Sequence, residues 1–519
     1  NNTGGGGGSG GGGGQPPAPI PPPLWDPSVT SAESTKLVEY AKGWVEELPY
    51  HNCDAHSQSL GGGTTTTMMV MKVPGKKERF VMVMVPNRRS ELVCVFRFLR
   101  REGLAPPKML DKEEEGEGWQ HDEAAAATNA RAPIRRTMRT MASRRQRQPR
   151  LSMLHRMVHA ARFVGLLPTL KQAGQRKECP VWFTVSEFIK AGAGDECEHA
   201  VLLWHYFQWI RDQEKQRGHA LHADNLPSFY LVLGSAVAVS ECYFVLESYP
   251  TDPLLGCLWD PSTGKAFPLA LDADQCPLVD IGCLVTSQNV YANIQWEGRP
   301  TVLALTSGGY DVTDTKRWRA FIPSESDRDY YRIGDCLQRE LALSYAPPAA
   351  RDRGVLLEEV ISDAVKRAVM EWRSRLKRPR GHRRIHTYFS IEASNCISEV
   401  VEQLEAGSLM RGPRVRQRHR STDGALENLI KNRALRGTAI GLTFISIESL
   451  LQKVKEQSSF TCLDPDVEFV VAVRCVPYPC GVFAVWLYFG SIFPADATKS
   501  DARRLSLKLT RRKSQKDSS

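Results

Sequence analysis

The chain has 519 residues, 42% hydrophobic and 24% charged, with a formal net charge of +10. That is the composition of a globular protein of roughly three domains and excludes a fibrous or wholly disordered chain. No apolar run reaches the ~18 residues of a membrane-spanning helix, and no signal peptide is visible. Thirteen cysteines are spread singly, with no C-x-x-C pair and no Cys/His ladder of zinc spacing, so they read as reduced, mostly buried thiols of an intracellular protein. The first residue is Asn1 rather than Met, and the chain is read as a piece of a longer protein.

Residues 1–34 are Gly-rich, then Pro-rich, and form a disordered linker. Residues 35–101 read as a small β-rich segment: a short helix over 35–47, strands over 68–73 and 79–85 about a Gly75-Lys76-Lys77 turn, and a third strand over 92–99. Residues 102–150 are a charged disordered insertion. Its acidic part, 111–123, precedes a block running from Arg131 to Arg150. Residues 151–345 form the main domain. Leu154, Val158, Ala161 and 163–167 outline an amphipathic helix stopped by Pro168. A loop and short helix over 181–190 lead into a helix over 196–211, where Ala200, Leu203, Trp204, Phe207 and Ile210 share one face. A polar insertion, 212–225, precedes strands at 229–237, 242–248, 257–259 and 279–285. Segments 289–296 and 318–321 close the domain, and Trp259 and Trp318 are core residues. In 354–386, Leu357, Ile361, Val365, Val369 and Trp372 make the apolar stripe of a long helix with a basic end. Residues 387–436 read as a basic loop region. Residues 437–495 hold a helix capped by Ser446 and a hairpin of strands 467–476 and 482–493, with Trp486 in its core. Residues 496–519 are a basic tail. The fold class is α+β: a buried helix packed on an antiparallel sheet, plus a C-terminal α/β region ending in a long hairpin.

The chemistry turns on Gly194-Asp195-Glu196-Cys197-Glu198-His199-Ala200. It resembles the start of the nucleophile helix of papain-like and transglutaminase-like enzymes, where a cysteine sits at the N-terminus of a buried helix. The helix dipole and its unpaired N–H groups favour the thiolate there. Counting back from Ala200, the nucleophile slot holds Glu196. Cys197 is one place out of register, a rotation of about 100°, and its acidic neighbours raise a thiol pKa. His199 is two residues on and does not face it. Cys197 and Cys242 read as independent thiols rather than a redox pair. His155 and His159, four apart on a helix, fit a metal face, but no further ligands accompany them. The sequence calls for no metal and no cofactor.

Further motifs follow in order: Trp259-Asp260-Pro261-Ser262-Thr263-Gly264, Cys276-Pro277-Leu278-Val279-Asp280-Ile281-Gly282-Cys283-Leu284, Asn289-Val290-Tyr291-Ala292-Asn293-Ile294-Gln295, 467–473, Pro477-Tyr478-Pro479 and Val485-Trp486-Leu487-Tyr488. Each is weak alone; their order and spacing are specific. The series, from about 151 to 493, resembles the C-terminal half of the coiled-coil and C2 domain-containing proteins of the ciliary transition zone. It shares a weaker version with the related centrosomal protein of the centriole. The resemblance implies a papain/transglutaminase-like pseudo-enzyme core without the family's upstream coiled coil and β-sandwich domains. It also implies a degenerate triad: Glu196 in the nucleophile slot, Cys242 in the histidine slot of Cys242-Tyr243-Phe244-Val245, and only Asp260 kept. An aspartate that orients a missing imidazole has no catalytic task, and in a Trp-Asp-Pro turn it is most simply an Asx residue.

The expected function is therefore a non-catalytic scaffold of the transition zone or basal body, at the base of the cilium or flagellum in the cytoplasm and cytoskeleton. Its partners would be other transition-zone or centriolar proteins, with membrane contact only through them. Arg373, Arg375, Lys377 and Arg378 are the candidate basic rim of a cleft holding an acidic peptide such as a tubulin tail. One alternative is an active cysteine hydrolase or transferase using Cys197. Another is RNA binding through the arginine blocks, disfavoured because no aromatics interleave them.

Overall fold

The computed structural model describes residues 35–48, 59–60, 64–65, 68–72, 78–111, 153–170, 181–217, 226–237, 241–270, 276–331, 333–376, 386–410, 433–457, 459–462 and 467–494. The expected linker, most of the charged insertion, the Arg131–Arg150 block, Lys377, Arg378 and the basic tail lie outside these residues.

The N-terminal elements are α1 (Thr35–Glu46) and three short antiparallel pairs: β1 (Ser59–Leu60) with β2 (Thr64–Thr65), β3 (Met68–Lys72) with β4 (Glu78–Met82), and β5 (Met84–Pro86) with β6 (Leu92–Cys94). After α2 (Lys108–Asp111) come α3 over 153–166, α4 (Val185–Ala191) and α5 (Glu196–Gln216). The seven-stranded sheet is built from β7 (Ser228–Ala236), β8 (Cys242–Ser248), β9 (Cys257–Trp259), β10 (Ala266–Pro268), β11 (Leu278–Val285), β12 (Val290–Asn293) and β13 (Trp318–Ala320). Helix α6 (Pro300–Leu305) falls between the last two, and α7 (Glu325–Tyr330) follows. The sheet order is β10-β9-β8-β7-β11-β12-β13, antiparallel throughout.

Every residue of β8 is buried, because the sheet is covered on both faces. Tyr243 and Val245 point to the α5 side with Leu231 and Leu233. Phe244 and Leu246 alternate to the other side, where Val232, Leu258 and Trp318 pack, as the period of a strand requires. Helix α5 is buried from Cys197 to Gln208, polar Glu198, His199, His205 and Gln208 included; burial on every side marks a helix enclosed by its domain. It packs on β7 and β8, and its Trp204 Nε1 donates to Phe229 O at 3.1 Å.

The 35–101 segment is not a separate unit. Leu37, Ala41, Trp44, Phe80 and Val93 belong to the α5 core. Tyr40 and Trp44 donate to the carbonyls of Phe321 and Ala320. Strand β4 lies across β7 and β11. The expected strand over 92–99 is β6 followed by a 3-10 turn over Val95–Phe98.

The second sheet has the order β14-β16-β17-β15, built from β14 (Tyr388–Phe389), β15 (Arg433–Thr443), β16 (Glu468–Pro477) and β17 (Phe483–Pro494). Helices α8 (Arg351–Ser374) and α10 (Ile447–Glu456) cover one face. There Ile361, Val365, Val369, Leu450 and Val454 meet Phe469, Val471 and Leu487. Helix α9 (Ile391–Met410) covers the other with Ala393, Ile397 and Val401 on Val470 and Ala472. Ser446 caps α10 by accepting from Ser449 N at 3.2 Å. The expected loop region 387–436 thus contains a 20-residue helix and the start of a strand. At the hairpin tip, Tyr478, Val482 and Ala484 enter the first core rather than the second.

Candidate functional site

Helix α5 starts where Gly192, in the left-handed conformation at φ 70°, ends α4. The turn between them is held by Glu198. Its Oε2 accepts from Asp195 N at 2.7 Å and its Oε1 from Phe183 N at 3.1 Å. Burial pushes the Glu198 carboxyl above its ordinary range, against these two N–H donors. A carboxylate at a helix N-terminus suits the dipole, so the first turn is built to hold an acid.

Glu196, Cys242 and Asp260, the residues expected in the triad slots, come together at this end of α5. Cys242 opens β8, and Asp260 directly follows β9, its neighbour in the sheet. The buried Cys242 thiol is driven upward by desolvation first, then by the charges of Glu196, Glu241 and Asp260 and by Cys276. Cys197 is 1% exposed, and its thiol is pushed well above the ordinary value by burial, then by Glu198, Asp195 and Glu241. A reactive thiolate needs electropositive surroundings; both sulfurs here sit among carboxylates. His199 faces Asp195 O at 2.7 Å through Nδ1 and Leu167 O at 3.1 Å through Nε2, away from either thiol, and burial lowers its pKa. Asp260 is engaged by its own turn: Oδ1 accepts from Ser262 N at 2.9 Å and Oδ2 from Thr263 Oγ1 at 2.7 Å. Glu241 and Cys276 were not singled out from sequence. Glu241 is adjacent to Cys242, and Cys276 opens a quoted motif, but only the sheet brings them together.

The basic residues lie elsewhere. Arg373 is 2% exposed inside the second unit. Its Nε donates to Thr387 Oγ1 at 3.1 Å, its Nη1 to Phe460 O at 3.0 Å, and its guanidinium lies 4.6 Å from the Phe469 ring centroid. Apolar packing on both flanks turns this end of α8 inward, so Arg373 is a core strut and not a rim. Arg375 is exposed and pairs with Glu371. His155 and His159 meet through their Nε2 atoms at 3.0 Å. No group of three or more His, Cys, Asp or Glu side chains among the described residues is placed to hold a metal.

The motif residues have structural roles. Arg79, fully buried, makes a bidentate pair with Asp280 at 2.7 and 3.1 Å and donates to the carbonyls of Asn293 and Gln295. Asn293 Nδ2 donates to Ile281 O. Asn289 bridges to Ile322 through both its N–H and its carbonyl. Gly282 sits at a register shift in β11, where a Cβ would stand 1.5 Å from Phe80 O of the crossing strand β4. In the second unit, Glu405 of α9 accepts from Tyr478 Oη at 2.6 Å, from Trp486 Nε1, and from Arg162 of α3 at 3.0 and 2.9 Å.

With the geometry established, the likenesses to known proteins fall on these same elements. Residues 180–321 match the family described as the CEP76 peptidase-like domain. Residues 358–493 match the C-terminal domain of centrosomal protein of 76 kDa. Protein CC2D2B of Homo sapiens is 24% identical over 335 residues, which is 64% of this chain and 20% of that protein. Coiled-coil and C2 domain-containing protein 2A of Drosophila melanogaster is 25% identical over 269 residues, 51% of this chain and 18% of that protein. The chain is thus similar to the coiled-coil and C2 domain-containing proteins and matches about a fifth of their length. Among the described residues, no helix is long and apolar enough to cross a membrane.

Proposed function

We propose that this chain is a non-catalytic scaffold module of the base of the cilium, with a transglutaminase-like fold whose active centre has been converted to structure. The observation that carries the reading is the convergence of Glu196, Cys242 and Asp260 into a cluster of carboxylates around a buried thiol. A carboxylate in the nucleophile slot cannot form the thioester of a cysteine enzyme, and a thiol held protonated in the base slot cannot take up the nucleophile's proton. The likeness to coiled-coil and C2 domain-containing proteins and to a centrosomal protein supports partners within ciliary or centriolar assemblies. A tagged copy in a ciliated cell is expected at the ciliary base; a uniformly diffuse signal would sink the reading.

The match to a peptidase-like domain favours one competitor, a hydrolase or transferase using Cys197. The two readings differ at the thiol. With the folded chain at pH 7, iodoacetamide is expected to leave Cys197 unmodified while exposed thiols react. Rapid labelling of Cys197, abolished by Cys197→Ser, would favour the enzyme.

An acidic tubulin tail does not suit the converted centre. Asp195, Glu196, Glu241 and Asp260 surround it, and like charge repels. If the module takes an acidic partner, it does so on another surface.

A further inference from the structure

A cavity of about 700 Å³ opens where α4 and the segment 334–340 meet the turn between β5 and β6. None of Glu196, Cys242 and Asp260 lines it. Its wall carries five cationic residues, Arg88, Arg89, Arg97, Lys190 and Arg339, against three acids, Glu187, Asp335 and Glu340. Two of the acids are already engaged. Glu187 Oε2 accepts from Thr184 N at 2.9 Å and from Thr184 Oγ1 at 2.8 Å, and Glu187 Oε1 lies 3.7 Å from Arg88. Glu340 pairs with Lys190 at 3.1 Å. Arg339 is exposed and has no counter-ion among the described residues. The wall also includes Trp182, 1% exposed, whose Nε1–H has no acceptor among the described residues. A buried N–H without a partner carries its full desolvation penalty, and such groups are rare unless something outside the chain satisfies them.

We propose that this cavity is the docking site for an acidic peptide segment of a partner protein, its carboxylates meeting Arg339 and the Arg88–Arg89 turn and one oxygen serving Trp182 Nε1–H. This deepens the scaffold reading by naming the chemistry of the partner. Excess positive charge around a concave site steers an acidic ligand and fixes its register. Carboxylates accept charge-assisted bonds from guanidinium groups, which neutral side chains cannot replace.

The test is fluorescence anisotropy at low salt with the full chain and a labelled ten-residue peptide alternating Glu and Gly. The Glu peptide is expected to bind, its Gln counterpart not to bind, and added salt to weaken the complex. Arg339→Glu should weaken binding at least tenfold. Trp182→Phe, with an unchanged thermal melt, should weaken it severalfold. Arg299→Glu, which changes an exposed arginine outside the cavity, should leave it unaltered. Absence of binding at low salt, or equal losses in Arg339→Glu and Arg299→Glu, overturns the proposal. So does preference for a phosphoserine peptide or free phosphate over the Glu peptide. The scaffold reading fails separately: Arg339→Glu that stays at the ciliary base while wild type binds no acidic peptide discards the cavity assignment alone.

Discussion

At the scale of single residues, the motif positions act as joints. Gly282 has no Cβ because strand β4 passes over it, and the first obstacle is the backbone oxygen of Phe80 rather than a movable side chain. Gly282→Ala is therefore expected to cost at least ~2 kcal/mol of stability, measured by urea unfolding. A loss under ~0.5 kcal/mol, the range of an ordinary surface change, would show that β4 does not cross there. The frame from which Glu196, Cys242 and Asp260 were singled out is local and legible: a turn glycine, Ala200 and an apolar run for Glu196, a strand start for Cys242, a Trp-Asp-Pro turn for Asp260; that the three come together at one end of α5 only the fold discloses. The partners of Arg79 were not legible. Nothing local to Arg79 marks it as buried, and its acceptors, Asp280, Asn293 and Gln295, lie two hundred residues away in sequence. Arg373 was misread for a related reason: its neighbours Arg375, Lys377 and Arg378 suggest solvent, while the Phe469 ring and the carbonyl of Phe460 that enclose it come from a distant strand and turn.

At the scale of elements, the seam between α3 and α9 is an ionic one. Glu405 is 5% exposed. Burial alone would raise its carboxyl, but Arg162, Tyr478 and Trp486 outweigh that and hold it below the ordinary value. Glu405→Gln leaves Arg162 without its carboxylate and is expected to cost about 3 kcal/mol, measured as a loss of denaturant midpoint. The sign of the pH dependence follows. A carboxyl whose folded pKa is lowered stabilises fully above its unfolded value, and that contribution fades as pH falls through the folded one. His159, on α3, is held at about 4 by burial and by His155. The unfolded chain takes up its proton first, so its contribution is present above the ordinary histidine value near 6.5 and is lost as pH falls toward about 4. The wild type should therefore weaken on acidification from pH 7 to 4, in part from His159. The further loss below the ordinary glutamate range should be blunted in Glu405→Gln. A wild-type stability flat from pH 7 to 4 would contradict the geometry. Most element boundaries were readable from periodicity, since α5, α8, β8 and the final hairpin bury what their patterns promised. Helix α9 was hidden by the basic residues on either side of it, although Ala393, Ile397 and Val401 repeat at helical spacing. Strand β15 was hidden because Gly437 and Gly441 interrupt its alternation.

At the scale of the whole molecule, the two units share material. The hairpin tip carries Tyr478, Val482 and Ala484 into the core around α5, and Cys480 N donates to Ala346 O at 2.9 Å. Phe163 of α3 stacks near Tyr478 with ring centroids 6.5 Å apart. A truncation after residue 346 removes these side chains and exposes the apolar surface they cover. It is expected to melt well below the full chain or to aggregate, read by circular dichroism and size exclusion. A truncated chain as stable as the first unit in the intact protein would show that the tip is dispensable. The sequence could not disclose this sharing, because Pro477-Tyr478-Pro479 looks like any rigid loop until the surface it plugs is known.

The same plug sets a schedule for biosynthesis. Chains emerge at about 5–20 residues per second and domains normally close from the N-terminus onward. Here the core around α5 is still incomplete when its own last strand, β13, leaves the ribosome, because Tyr478, Val482 and Ala484 are encoded more than 150 residues later. Until β16 and β17 are translated, the nascent protein carries an unfinished hydrophobic surface. Its demand on chaperones should therefore peak late in translation, and a stall between β13 and the hairpin should be more hazardous to the cell than one before α5.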